Sequence, residues 1–305
     1  MVGQNFLKMV DRKDSFKGYY HVCTKGDEIP WMFKTDSDFI GGINRIAFCL
    51  LSSDIVAIAY ILMDTHVHFI LKGSLPLCKD FINKYKQMTG KWVSHRHHIA
   101  NHLSKVSTTI VPVGSEEALM EEIAYVDRNS IMAGYRCMPT EYRWGMSRYF
   151  FKDTLSMDAL LAGFEKIGER SLKNLKRNLS TRVDIPRDWE IDKSGMINPR
   201  CFVDYRIVES IYRSPNRYLY FLSKKLEGKI DMKLSQGVGS FIPDKEMRSI
   251  TDSLTREMFG LEKRGLLNMS QRIQIAKRLR YEYGTTHKQI SRMLNVDVNI
   301  LKGFV

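Results

Sequence analysis

The first half of the chain alternates between apolar patterns with the period of a strand and apolar patterns with the period of a helix. Two-residue alternation and short apolar runs predict strands at residues 19–24, 55–62, 66–72 and 107–113. Apolar residues spaced three and four apart predict helices at residues 36–52, 76–98 and 115–134. The predicted order is therefore strand, helix, strand, strand, helix, strand, helix.

This order predicts an α+β fold of the ferredoxin-like, split βαβ kind, in which one antiparallel sheet carries helices on one face. Asp64 and Thr65 form the predicted turn between the second and third strands. The first domain is expected to close near residue 150.

The second half of the chain is predicted to be helical. Residues 155–180 carry a helical pattern that becomes basic, and Pro186, Gly195 and Pro199 then indicate irregular chain before a helical region that begins at Val203. The basic stretch is compatible both with a nucleic-acid contact and with a solvated helix face. Three parts are predicted: a domain at 1–150, a basic helix and linker at 151–200, and a helical domain at 201–305.

Residues 270–305 carry the pattern of three short helices separated by a break at Gly284 and a turn at Asn295. The residues predicted to face inward are Ile275, Ala276, Leu279, Ile290, Leu294, Val298 and Leu301. This spacing indicates a helix-turn-helix, and the basic residues Lys288, Arg292 and Lys302 make it a candidate DNA-binding segment. A plain three-helix packing module is the alternative.

Composition narrows the class of protein. The 305 residues are 44% hydrophobic and 27% charged, and 47 Lys and Arg against 34 Asp and Glu give a formal net charge of +13. A surplus of this size suits a polyanionic partner, although it also serves solubility. We expect a soluble chain of two or three domains.

The cysteines and the apolar runs bear on cellular location. Five cysteines occur without a C-x-x-C pair, which is typical of a reduced, intracellular protein without a disulfide framework. The N-terminus lacks the apolar core of a signal peptide, and no apolar run reaches membrane-spanning length. The sequence therefore predicts a cytoplasmic protein that does not bind a membrane.

The stretch from Ile61 to Lys72 contains the most informative short motif, His66-Val67-His68. Its strand periodicity directs both imidazoles to the same face. Neutral imidazole is the commonest metal ligand in proteins, so the two histidines are candidate ligands of one ion. A strand with two partly exposed histidines is the alternative.

A second motif lies in the helix predicted after the fourth strand. Tyr125 and Asn129 are four residues apart, which places them on the same helix face about one turn from each other. In a ferredoxin-like fold this helix could pack beside the sheet that carries the histidines. A phenolic nucleophile and an amide oxygen ligand would then meet the two imidazoles.

Three segments together resemble a known family. They are Met-Asp-Thr-His66-Val-His68-Phe-Ile-Leu, Tyr125-Val-Asp-Arg-Asn129-Ser-Ile-Met-Ala-Gly134 and Pro139-Thr-Glu-Tyr142-Arg-Trp144. The motifs, their order and their predicted secondary structure resemble the single-tyrosine HUH transposases, most closely the REP-associated tyrosine transposases. The resemblance covers roughly residues 15–150.

The resemblance implies a metal-dependent endonuclease and strand transferase that acts on single-stranded, hairpin-forming DNA. It implies that His66 and His68 hold a divalent ion, Mg²⁺ or Mn²⁺, with Asn129 as the third ligand. It also implies that Tyr125 attacks the scissile phosphate and forms a 5′-phosphotyrosine while a 3′-hydroxyl leaves. The family includes monomers and dimers, so a homodimer is an open possibility.

The chain departs from the family pattern at two turns. Family members commonly have proline before the first histidine and after the asparagine, whereas this chain has Asp64-Thr65 and Ser130. These changes bear on turn geometry and target sequence more than on the ligands and nucleophile. A domesticated, non-catalytic DNA-binding regulator derived from a transposase is one alternative, and a metal-binding interaction module is another.

Other residues are weaker candidates. A zinc site at His95, His97, His98 and His102 competes with a polar helix end, because neither cysteine nor carboxylate completes the set. Tyr85, Tyr142 and Tyr149 are weaker candidate nucleophiles, because none of them has an oxygen ligand paired with it as Asn129 is with Tyr125. Trp144 with Tyr142 is more typical of core packing than of base stacking.

Overall fold

The computed structural model describes residues 18–304 except residues 27, 102, 170, 225–241, 243 and 284. His102 of the candidate histidine cluster and Gly284 of the predicted helix break therefore lie outside the described residues. The described chain combines helices with a four-stranded antiparallel sheet, which confirms the predicted α+β class. Within the same residues, no helix is long and apolar enough to cross a membrane.

The sheet and its three helices follow one another in the predicted order. The strands are β1 (Gly18–Thr24), β2 (Val56–Leu62), β3 (Val67–Gly73) and β4 (Thr108–Val113). The helices are α1 (Asp36–Leu50), α2 (Leu75–His97) and α3 (Glu116–Met132). The strand order across the sheet is β2-β3-β1-β4, and every neighbouring pair is antiparallel. The strand of the histidine motif, β3, is therefore central.

Different helices cover the two faces of the sheet. Phe69 of β3 packs against Phe81 and Tyr85 of α2, with ring centroids 5.3 and 5.2 Å away. The preceding residue, His68, points to the opposite face, where its ring centroid lies 5.9 Å from that of Tyr125 on α3. The expectation of helices on one face is therefore wrong for α3. Since α1 packs beside α2, the other face is left for α3 to bury its apolar side.

Hydrophobic side chains in the described residues form two separate clusters. The first surrounds the sheet and continues past residue 150 as far as Leu222. The predicted boundary near residue 150 thus lies inside this cluster. The additional elements of this part are α4 (Thr154–Leu161), α5 (Leu172–Asn178), α6 (Tyr205–Tyr212), α7 (Pro215–Ser223) and the two short paired strands β5 (Glu165–Lys166) and β6 (Glu190–Ile191).

The segment that follows residue 150 is joined to the sheet and its helices by polar contacts as well as by packing. The buried side chain of Asn44 on α1 donates to the carbonyl of Gly195 at 2.7 Å and accepts from the amide of Ile197 at 2.9 Å. Val203 forms a backbone bridge with Ala57 of β2. These contacts hold the predicted linker against the first cluster.

The second cluster is formed by four helices, called here the C-terminal helices. They are α8 (Asp244–Phe259), α9 (Met269–Tyr283), α10 (His287–Leu294) and α11 (Val298–Phe304). The predicted inward residues are buried except Val298, which is half-buried, whereas Val296 is buried in its place. Asn295 ends α10 in the left-handed conformation, with φ of 51°, and this bend turns Val296 into the cluster.

Gly42 of α1 offers a test of how closely α1 packs. A Cβ atom at Gly42 would lie 2.6 Å from Cδ2 of Leu62 and 2.7 Å from Cε1 of the fully buried Phe33. We expect Gly42→Ala to lower the free energy of unfolding by about 1–3 kcal/mol in urea denaturation, because overpacking forces neighbours to shift. The control is Gly114→Ala, whose Cβ would have no neighbour within 4 Å. An equal loss in both variants would contradict this packing.

Candidate functional site

The histidine motif lies at the start of β3, beside the turn that joins it to β2. His66 immediately precedes the strand and His68 is its second residue. Their ring centroids are 4.9 Å apart and the ring planes are nearly perpendicular, at 77°. The amide of Val67 donates to the hydroxyl oxygen of Thr24 on β1 at 3.1 Å, which ties the motif to the neighbouring strand. Both imidazoles therefore lie on the sheet face that α3 covers.

His68 is a neutral, buried imidazole. Its residue surface is 5% exposed, and its Nε2 atom is buried without a hydrogen-bond partner in the described structure. Burial lowers the pKa of His68 well below its ordinary range, and the neighbouring His66 and His21 rings lower it further. A buried ring nitrogen without a partner is costly unless something binds it. The donor chemistry of this atom fits a divalent cation.

Tyr125 lies on α3 next to the histidines. Its ring centroid is 5.7 Å from that of His21 and 5.9 Å from that of His68, and the residue is 39% exposed. Burial raises the pKa of the Tyr125 phenol, and the nearby Cys23 and Glu122 raise it further. The phenol is therefore protonated at neutral pH. A nucleophilic role would require activation at the moment of reaction.

Asn129 is held one turn further along α3. Its Nδ2 donates to the carbonyl oxygens of Tyr125 at 2.9 Å and Val126 at 3.1 Å. With the amide assigned from these hydrogen bonds, Oδ1 points away from the helix backbone. Asn129 also lines a pocket of about 150 Å³ together with His66. The amide oxygen is thus placed on the same side of α3 as the histidine motif.

The residues between Tyr125 and Asn129 anchor α3 to α7. The buried Asp127 accepts a hydrogen bond from the hydroxyl of Tyr218 at 2.7 Å. Arg128 donates to the carbonyl of Phe221 at 2.6 Å. These contacts join α3 to α7 and so fix the helix that carries the two candidate residues.

Asp64 and Thr65, the two residues before the histidine motif, make polar contacts. Asp64 accepts from the hydroxyl of Tyr135 at 2.5 Å and lies 3.6 Å from Nη1 of Arg248. The hydroxyl of Thr65 lies 3.0 Å from Nδ1 of His66. A proline at either position would remove its side-chain contact. The turn before the motif is therefore held by side-chain hydrogen bonds.

Three further residues, from β1 and α3, lie beside these groups. Cys23 pairs with His68 across the sheet, and His21 lies two residues before it on the same face. Donor atoms of His21, Cys23 and His68 lie within 4.8 Å of one another, close enough to hold a metal ion. Glu122 of α3 lies 2.9 Å from Nδ1 of His21. Sequence reasoning missed these residues, although the His-Val-Cys alternation on a predicted strand was a signal for them.

The C-terminal helices contribute to the pocket beside His66. Asp244 of α8 and Arg292 of α10 line it. The Arg292 guanidinium donates to both carboxylate oxygens of Asp244, at 3.0 and 2.9 Å. Of the three residues predicted to bind DNA, Arg292 is therefore engaged in an intramolecular ion pair. Lys288 and Lys302 are exposed.

Three of the weaker candidates, His97, Tyr142 and Trp144, have structural partners. Nε2 of His97 lies 2.9 Å from the buried Asp38, at the junction of α1 and α2. The hydroxyl of Tyr142 donates to the carbonyl of Leu62 at 2.9 Å, and Trp144 stacks on Phe39 with centroids 4.8 Å apart. Tyr85 and Tyr149 are buried. These contacts favour core and junction roles for these side chains.

Comparison with known proteins adds no relative. No family model matches the chain, and neither do the curated proteins or the solved structures that were searched.

Proposed function

We propose that this chain is a metal-dependent single-stranded DNA endonuclease and strand transferase of the HUH single-tyrosine kind, built on a ferredoxin-like domain. One observation carries the proposal: the imidazoles of His66 and His68 lie on one sheet face, and α3 presents Tyr125 to that face. Asn129 lines the pocket beside His66. Ligands and nucleophile thus come from segments far apart in sequence.

Metal binding is proposed for His66, His68 and Asn129. The residues fit a divalent ion because Nε2 of His68 is a buried acceptor without a hydrogen-bond partner in the described residues, and Asn129 turns an amide oxygen outward. A bound Mg²⁺ or Mn²⁺ would supply charge neutralisation at the phosphoryl oxygens. His66 and His68 would also orient the scissile phosphate toward Tyr125.

Tyr125 is the proposed nucleophile. Its phenolic oxygen bonds to phosphorus and gives up its proton, while the bond from phosphorus to the 3′ oxygen breaks and that oxygen leaves as a hydroxyl. The 5′-phosphotyrosine conserves the phosphodiester bond energy. A 3′-hydroxyl can therefore rejoin the strand by the reverse attack, without an external energy source.

The proposed partner is single-stranded DNA that forms a hairpin. The formal charge of +13 suits a polyanion. At the junction of the C-terminal helices with the turn before His66, Arg248 has two buried guanidinium nitrogens, Nε and Nη2, without hydrogen-bond partners in the described residues. The positive charge of Arg248, which lies 3.6 Å from Asp64 at this turn, favours a polyanion close to the pocket.

The proposal is tested by trapping the covalent intermediate. The full chain is incubated with labelled single-stranded oligonucleotides from its own genomic flanks and Mn²⁺. We expect a protein–DNA adduct that survives denaturation, with release of a fragment carrying a 3′-hydroxyl. If strand binding occurs without adduct or cleavage across these oligonucleotides, the chain is a non-catalytic DNA-binding protein instead.

The exposed lysines of the C-terminal helices are expected to add affinity without chemistry. In the double variant Lys288→Gln, Lys302→Gln, single-stranded DNA binding should weaken, and its logarithmic salt slope should decrease in magnitude by about 0.7 per lost phosphate contact. Titration at several salt concentrations measures both. The double variant Lys152→Gln, Lys193→Gln is the matched control, because it removes two exposed charges from residues 151–200, outside the C-terminal helices. Equal slopes for both double variants would exclude a specific role for α10 and α11.

A further inference from the structure

We propose that Glu122 and His21 are positioning residues, which set the tautomer of His68 through a chain of hydrogen bonds and thereby direct its Nε2 lone pair toward a divalent cation. This inference rests on the proposed function, since that function makes His68 a metal ligand.

The chain of contacts runs from α3 through β1 to β3. Oε2 of Glu122 lies 2.9 Å from Nδ1 of His21, and Nε2 of His21 lies 2.9 Å from Nδ1 of His68. The two rings are stacked, with centroids 5.1 Å apart and planes inclined by 24°. His21 and His68 are both buried, so bulk water does not replace the contact between their rings, whereas Glu122 is partly exposed.

The direction of each hydrogen bond follows from the chemistry of the groups. An ionised carboxylate only accepts, so Nδ1 of His21 carries the proton that Glu122 accepts. Nε2 of the neutral His21 ring is then an acceptor, and the proton in the next hydrogen bond belongs to Nδ1 of His68. A neutral imidazole carries one ring proton, which leaves Nε2 of His68 as a lone pair. This is the atom that is buried without a partner.

Two other arrangements of this cluster have to be distinguished from the proposed one. If His21 were an imidazolium, it would donate to Nδ1 of His68, and His68 would carry its proton on the buried Nε2, where no acceptor lies among the described residues. If His21, Cys23 and His68 held an ion together, Cys23 would be a ligand, since donor atoms of the three residues lie within 4.8 Å of one another. The separation of 2.9 Å between Nε2 of His21 and Nδ1 of His68 is that of a hydrogen bond, and the Cys23→Ala variant distinguishes the two arrangements.

This chain of hydrogen bonds gives a role to Glu122, which lies on the same helix as Tyr125. Carboxylate–histidine–metal arrangements fix the orientation of a ligand and raise its basicity, and loss of the outer residue commonly costs 10- to 100-fold in metal affinity. In this protein the carboxylate acts through one intervening imidazole. Movement of α3 would therefore change both the position of Tyr125 and, through Glu122, the orientation of His68.

The test is nitrogen NMR of the metal-free full-length protein labelled with ¹⁵N-histidine. Long-range proton–nitrogen correlations distinguish the two neutral tautomers of each ring. We expect His68 to carry its proton on Nδ1 in the wild type. In Glu122→Ala both His21 and His68 should become mixtures of tautomers, whereas Glu117→Ala, which removes an exposed carboxylate from the first turn of the same helix, should leave them unchanged.

Mn²⁺ titration of the same proteins provides the second readout. We expect Glu122→Ala to weaken Mn²⁺ binding about 10- to 100-fold and Cys23→Ala to leave it unchanged. A wild-type His68 protonated on Nε2, or an unchanged His68 tautomer in Glu122→Ala, would overturn the positioning role. Loss of binding in Cys23→Ala would also overturn it, in favour of an ion held by His21, Cys23 and His68. If His68 has the expected tautomer but no Mn²⁺ binds, the proposed function fails while the hydrogen-bond chain stands.

Discussion

Tyr125→Phe is expected to abolish the covalent protein–DNA adduct while leaving the fold and strand binding unchanged. The substitution keeps the ring that packs beside His21 and His68 and removes only the hydroxyl, which alone can form the bond to phosphorus. Because Tyr125 is partly exposed, the free energy of unfolding should change by no more than about 0.5 kcal/mol. Denaturing electrophoresis of labelled oligonucleotide with Mn²⁺ measures the adduct.

The matched control is Tyr281→Phe, which removes the hydroxyl of an exposed tyrosine on α9 and should form adduct at the wild-type level. Mass spectrometry of the wild-type adduct should place the nucleotide on the peptide that contains Tyr125. Finding it on Tyr85, Tyr142 or Tyr149 would refute the nucleophile but keep the reaction class. Adduct formation by Tyr125→Phe would likewise refute Tyr125 as the nucleophile but keep the reaction class.

Replacement of both motif histidines, in His66→Ala, His68→Ala, is expected to remove divalent-ion binding and cleavage together. Mn²⁺ affinity should fall by more than about 100-fold, because loss of a group that only supports a ligand already costs 10- to 100-fold. Single-stranded DNA binding should remain largely intact, since Lys and Arg contacts to phosphates supply most of the affinity. Calorimetric titration with Mn²⁺, strand-binding titration and a cleavage assay measure the three quantities.

His95→Ala, His98→Asn is the control, because it removes two exposed imidazoles at the end of α2; asparagine suits the left-handed backbone of His98. This variant should bind Mn²⁺ and cleave as the wild type does. His68 is buried, so its replacement could also disturb the fold. The single variant His66→Ala, at a half-buried residue, is therefore measured as well, and it should lose Mn²⁺ binding and cleavage with an unchanged melting temperature. Cleavage at the wild-type rate by the double variant would exclude the metal assignment.

Local spacing was enough to predict the α+β class and to place the candidate residues in pairs. Side chains of a strand alternate between two faces, so His66 and His68 had to lie on the same face of the sheet. A helix turns about once every four residues, so Tyr125 and Asn129 had to lie on the same face of their helix. These relations depend only on backbone geometry within a few residues. The same reasoning predicted the buried positions of the C-terminal helices, with Val298 and Val296 as the exception, because the bend at Asn295 shifts the inward side.

Contacts between distant segments were decided by the tertiary structure. The strand register places Cys23 opposite His68 and His21 within hydrogen-bond distance of His68. The helix α3 places Glu122 against His21. Arg292, basic in the sequence, lies against Asp244 in the folded chain. The presence of α3 on the sheet face opposite α2 likewise follows from which surface the first two helices leave uncovered.

The sequence by itself therefore determined the kinds of elements, their order and the chemistry that each can present. The tertiary structure alone decided which of these groups meet, which basic residues are paired, and how far the first hydrophobic cluster extends beyond residue 150. The physical reason is the range of the interactions. Periodicity reflects dihedral geometry over one or two turns, whereas register and packing depend on the summed burial of side chains that are remote in the chain.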